Sequence, residues 1–121
     1  MTKQEIFDRV AAHLLMQGQR ALSVGAVGGT RCSYRANGMS CAIGCLISDE
    51  AYTETLEASG VTSRKVQAAL VASGVSPAGE LPNSLLRSLQ RVHDDAEDGD
   101  YYLNNIREGL RAVADIHGLK M

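Results

Sequence analysis

Apolar residues recur every three or four positions in four separate stretches of this chain, and that period decides its class. Ile6, Val10 and Leu14, joined by Phe7 and Leu15, form the first stripe, and Val66, Ala69 and Leu70 the second. Leu85, Leu86, Leu89 and Val92 form the third, and Leu103, Ile106, Leu110 and Val113 the fourth. A period near 3.6 puts such residues on one face of a helix, and that face has to be buried against another element. With one Phe, four Tyr and no Trp, the core has to come from Leu, Val, Ile and Ala, which suits packed helices. At 121 residues the chain has the size of one ordinary domain, able to bury roughly two-thirds of its unfolded surface.

Punctuation residues mark the ends of these stripes. Thr2 and Glu5 form a capping box, and Gly18 supplies a left-handed stop. Ser48, Asp49 and Glu50 predict the start of a short helix closed by Gly60. Thr62 or Ser63 caps the next, which Gly74 closes. A Pro- and Gly-containing linker, 76–82, leads to a helix capped by Asn83 or Ser84. The acidic stretch Asp94–Asp100 precedes the last helix, with an N-cap expected at Asp100 and a stop at Gly118. Between the first two helices, Arg31–Arg35 and Met39–Ile43 flank Asn37-Gly38, the favoured pair for a type I′ turn. Such a hairpin sets Tyr34 opposite Cys41 and Cys32 opposite Ile43. The expected fold is α+β and mainly helical: about five helices packed on one short β-hairpin, in a single domain over 1–121.

The net charge of −2 and pI of about 5.9 leave no surplus of cations for the backbone of long DNA or RNA. A small anion needs only a few local cations and fits such a chain. The longest apolar run, Cys41–Ile47, is seven residues, far short of the roughly 18 of a membrane span. The N-terminus opens as a polar amphipathic helix rather than a secretory signal. Three cysteines cannot all pair. Free thiols in a cytoplasmic setting are therefore expected, with no metal and no cofactor.

Several constellations carry chemistry by residue type. Starting at Asp94, a calcium loop would have Asp98 and Gly99 in place, but Ala96 and Asn105 stand where two ligands belong. Cys32, Cys41, Cys45 and His93 contain zinc-ligand types, without the usual paired second half. Cys41 or Cys45 with His93, and with Asp94 or Asp95 to orient the imidazole, would make a cysteine-dependent hydrolase or transferase, with Gln17 as oxyanion donor. Against that stands the frequency with which cysteine is simply buried. The glycine-rich stretch 23–30 lacks the Lys of a phosphate loop and leads into a strand.

The arginines form the most productive pattern. Arg31 and Arg35 bracket a strand, while Arg107 and Arg111 lie one turn apart on the last helix, with Asn104 beside them. A guanidinium fork matches phosphate oxygens, and Tyr34, Tyr101 and Tyr102 offer faces for stacking on a base. With His93 and Asp95, the candidate ligand-binding set is Arg31, Tyr34, Arg35, His93, Asp95, Asn104, Arg107 and Arg111. The competing possibility is surface arginines paired with Glu108, Asp115 or the acidic stretch.

Four runs carry a family resemblance: Gln4–Val10, Cys32-Ser33-Tyr34-Arg35, Cys41-Ala42-Ile43-Gly44-Cys45-Leu46-Ile47 and Leu89-Gln90-Arg91-Val92-His93-Asp94-Asp95. Together they resemble the Thoeris anti-defence family, small phage-borne proteins, across almost the whole chain. The resemblance implies a nucleotide sponge that sequesters an immune signal without cleaving it. It also implies a homo-oligomer in the host cytoplasm, with a cyclic ADP-ribose isomer or a cyclic oligonucleotide as ligand.

Overall fold

A computed structural model gives the fold and describes residues 1–24 and 30–121, with the side chains of 23, 24, 30 and 31 left out. Helix α1 (Lys3–Gln17) starts on the expected capping box: Thr2 Oγ1 accepts from Glu5 N at 3.0 Å, and Glu5 Oε1 accepts from Thr2 N at 2.9 Å. Gly18, at φ 75°, closes it. Two short antiparallel strand pairs follow. Strand β1 (Leu22–Val24) pairs with β2 (Thr30–Cys32), and β3 (Arg35–Ala36) pairs with β4 (Met39–Ser40). Asn37 and Gly38 take φ of 52° and 77°, the positive values a type I′ turn requires. Cys41 N donates to Tyr34 O at 3.1 Å, so Tyr34 does stand opposite Cys41.

Beyond that point the expected hairpin stops. Cys32 pairs with Leu22, not Ile43, and the chain turns at Cys41 into a 3-10 turn, Gly44–Leu46. Cys41, Ala42, Ile43, Leu46 and Ile47 are all buried. A two-stranded ribbon buries alternate residues only, whereas a tight turn wrapped in core buries consecutive ones. The turn crosses directly over Tyr34: a Cβ on Gly44 would lie 2.0 Å from the Tyr34 carbonyl oxygen. Only glycine fits there.

Among the described residues four α-helices form rather than about five. The segment begun at Ser48 makes turns and a 3-10 turn, Glu54–Leu56, with Ala58 at φ 65°. Its carboxylate at Glu57 is diverted to other backbone, accepting from Tyr34 N (2.9 Å), Arg35 N (3.1 Å) and Tyr52 Oη (2.6 Å). Helix α2 (Arg64–Ala72) is capped by Ser63. Helix α3 (Asn83–Asp95) follows Pro82 without a side-chain cap, because Asn83 Oδ1 accepts from Gln67 Nε2 at 3.0 Å instead. Helix α4 (Tyr102–His117) begins after Tyr101, not at an Asp100 cap. Its inner stripe starts at Tyr102, fully buried with its hydroxyl donating to Leu14 O at 3.1 Å, while Leu103 is 38% exposed. The hydroxyl lets the larger ring serve as core.

One continuous core joins α1, α2, α3, α4 and the turn 41–47. Helices α3 and α4 pack closely, with Gly109 of α4 against Val92 of α3, where an added Cβ would sit 3.0 Å from a valine methyl. Among the described residues no helix is long and apolar enough to cross a membrane. The glycine-rich stretch falls largely on 25–29, outside the described residues.

Candidate functional site

Helix α3 carries two chemically distinct faces. Leu85, Leu86, Leu89 and His93 are buried, while Arg87, Arg91 and Asp95 recur at four-residue spacing on the exposed side. His93 has no solvent exposure, and both its ring nitrogens are engaged. Ala21 N–H points at Nε2 from 3.0 Å, so Nε2 is an acceptor and the proton sits on Nδ1. Nδ1–H then donates to Asp94 Oδ1 at 2.9 Å. The same carboxylate oxygen accepts from Gln90 Nε2 at 2.8 Å. Burial pushes the Asp94 carboxyl up, but hydrogen bonds from His93, Cys32 and Gln90 outweigh it and hold the group below its ordinary value.

This arrangement bears on both metal and enzyme chemistry. Cys32, His93 and Asp94 place a possible ligand atom each within 4.8 Å of one another, and Cys41 and Cys45 do not join them. A metal at His93 Nδ1 would need that nitrogen deprotonated while Nε2 already faces an N–H, which demands an imidazolate. Ligating histidines normally donate from their second nitrogen; here it accepts. The trio is a hydrogen-bonded network linking β2 to α3.

For the same reason His93 has no nitrogen with which to activate Cys41 or Cys45. Cys41 Sγ accepts from Gly44 N at 3.2 Å, and Cys45 Sγ donates to Ala42 O at 3.0 Å. Burial pushes both thiols up to about 12, and burial together with the Asp94 charge pushes Cys32 up to about 11. Nucleophilic attack requires thiolate. Gln17, expected as an oxyanion donor, instead clamps Ser40, donating to its carbonyl and accepting from its N–H, both at 2.8 Å.

The described side chains of the expected ligand-binding set are spread over several elements. Tyr34 is buried and its hydroxyl donates to Ser59 O, so its ring is core. Arg35 reaches Asp49 Oδ1 and Ile47 O, each at 2.7 Å, with its guanidinium over the Tyr52 ring at 4.6 Å. The side chain of Arg31 lies outside the described residues. Asn104 donates to Glu108 at 3.5 Å. Arg107 and Arg111 are exposed on α4 and form no ion pair among the described residues, with Glu108 and Asp115 included.

Among the described residues, the three most pronounced clefts are not lined by Asn104, Arg107 or Arg111. The groove between α3 and α4 has a volume of about 680 Å³, within the range of small-molecule sites. Its apolar lining comprises Val92, Val113 and the exposed Ala112 and Ile116. One end holds Ser84, Arg87 and Ser88, the other Asp95, Glu97, Asn105 and Glu108, with Arg91 between. Arg87 and Arg91 also border a neighbouring cleft of about 390 Å³ beside Gln90 and Asp94. Neither arginine forms an ion pair among the described residues.

Sequence reasoning passed over Arg87 and Arg91 because arginines on the polar face of an amphipathic helix look like solvated charge. The available signal was their spacing: one turn apart, with Ser84 and Ser88 in the adjacent row and no acid until Asp94. The chain matches no protein-family model, no curated protein and no solved structure.

Proposed function

We propose that this protein binds a small phosphorylated nucleotide in the α3–α4 groove and acts by sequestering it, without catalysis. One observation carries the proposal: Arg87 and Arg91, one helical turn apart and free of ion pairs among the described residues, stand over an apolar groove of about 680 Å³. The groove has opposite charge at its ends. Arg87 and Asp95 are eight residues apart on α3, about 12 Å by the helical rise. A nucleotide has the matching polarity, with phosphate for the arginines, hydroxyl and amino donors for the carboxylates, and an apolar base face for Val92 and Ile116. Protonated thiols, whose pKa values are raised, and a fully engaged His93 supply no nucleophile–base pair, which favours binding over turnover.

In the anti-defence role that the family resemblance implies, the ligand is a cyclic ADP-ribose isomer or a cyclic oligonucleotide. The homo-oligomer belongs to the same proposal, since Arg107 and Arg111 on the outer side of α4 would then face a neighbouring copy. Calorimetry against such a nucleotide panel tests binding. Each charge-assisted contact contributes roughly 1.5–3 kcal/mol, so Arg87→Ala and Arg91→Ala should each weaken affinity about ten- to a hundred-fold. Heat denaturation of the complex should return intact ligand. No binding across the panel defeats the proposal, and recovery of cleaved product moves the protein to the enzyme class.

A further inference from the structure

A second cleft of about 710 Å³ lies between α1 and the β3–β4 turn. It has the opposite character to the α3–α4 groove. Its lining includes Arg9 and His13 of α1, Arg35 of β3, and the single carboxylate of Asp49. Two guanidiniums therefore face one acid, in a chain whose net charge is −2.

The two guanidiniums are incompletely satisfied. Arg9 forms no ion pair among the described residues, and its charge reaches the Cys45 thiol. His13 Nε2 lies 2.9 Å from the Ser40 carbonyl oxygen, which can only accept, so that nitrogen is protonated and the ring is fixed against β4. Arg35 is locked by Ile47 O and Tyr52, yet its buried Nε has no hydrogen-bond partner among the described residues. An orphan buried donor on a native guanidinium calls for an acceptor. The one acid present meets Arg35 through a single oxygen at 2.7 Å, and its side chain is 90% exposed, an arrangement that contributes little and exchanges readily.

We propose that this cleft is a binding site for a small phosphomonoester, its tetrahedral head held between Arg9 and Arg35, with Asp49 displaced from Arg35 by the incoming anion. Cations from a helix and a strand approach from different directions, which suits a head with three terminal oxygens better than a planar carboxylate. The site is independent of the α3–α4 groove, and so is its test. Calorimetry at fixed ionic strength would use inorganic phosphate and glycerol phosphate as probes, with succinate, a dianion of two planar carboxylates, as control. Arg9→Gln, an exposed change, should weaken phosphate binding about ten-fold or more. Asp49→Asn should tighten it by removing the competing carboxylate. The Arg87→Ala/Arg91→Ala double variant should bind phosphate here as wild type does. Absence of saturable phosphate binding at millimolar concentration overturns the proposal, as does wild-type affinity in Arg9→Gln, no gain in Asp49→Asn, or equal affinity for succinate.

Discussion

Replacing His93 separates the two halves of the network that ties β1 and β2 to α3. In His93→Leu the buried Ala21 N–H loses its acceptor, which costs about 1–3 kcal/mol, and Asp94 loses a charge-assisted donor. That second bond belongs to the 1.5–3 kcal/mol class, but the Asp94 side chain is 39% exposed, so the lower end applies. The expected loss is about 3–4 kcal/mol in urea unfolding, a large part of the total for a small domain. Two conservative variants divide it. His93→Asn keeps a donor near Nδ1 and loses the acceptor for Ala21, whereas His93→Gln can keep the acceptor and loses the bond to Asp94. Each should be less damaging than His93→Leu. The sign of the pH dependence follows from Asp94. Its carboxyl is held below its ordinary value of 3.8 in the folded chain, so its contribution is complete above that pH and is lost as the pH falls through the folded value. His93→Leu should flatten that acid limb. A variant as stable as wild type, or a ring proton found on Nε2 by nitrogen-15 NMR, refutes the reasoning.

Gly44→Ala forces a methyl to within 2.0 Å of the Tyr34 carbonyl, and thermal unfolding should show a loss of at least about 1–3 kcal/mol from overpacking. Ile106, fully buried, should lose about 2–5 kcal/mol on change to Ala, while Leu103→Ser on the same helix should stay within about 0.5 kcal/mol; equal effects would contradict the assignment of the inner stripe. With thiol pKa values pushed up to about 11 for Cys32 and about 12 for Cys41 and Cys45, alkylation of the native protein at pH 8 should be slow, and unfolding should release all three thiols. A fast-reacting cysteine in the native state would reopen the enzyme alternative.

Helices with strong stripes and caps were legible because their signals are local. The Thr2–Glu5 box, the Asn37-Gly38 turn and the Gly118 stop each depend on neighbours within a few residues. What escaped was set by distant partners. Cys41–Ile43 has strand composition, but its consecutive burial under Tyr34 turns it into a tight corner. Ser48–Ser59 has a helix start, but Glu57 is taken by the backbone of Tyr34 and Arg35. The site was less legible than the fold. Tyr34 was conspicuous for its chemistry and proved to be core, Arg35 holds the 47–59 segment while also lining the cleft beside α1, and Arg87 and Arg91 gained significance only when α4 closed a groove beside them. His93 was singled out by residue type, yet its tautomer follows from the N–H of Ala21, which no spacing in the sequence reveals.

The central claim is that a phosphorylated nucleotide seats between α3 and α4, and amide mapping by NMR tests it most directly. Titrating the labelled protein with cyclic ADP-ribose isomers and cyclic oligonucleotides should move the amides of residues lining that groove, 84–97 on α3 and its C-terminal turn and 105–116 on α4. The same titration on the Arg87→Ala/Arg91→Ala variant should leave them in place. Saturable shifts that bypass this groove, or that persist unchanged in the double variant, would contradict the account.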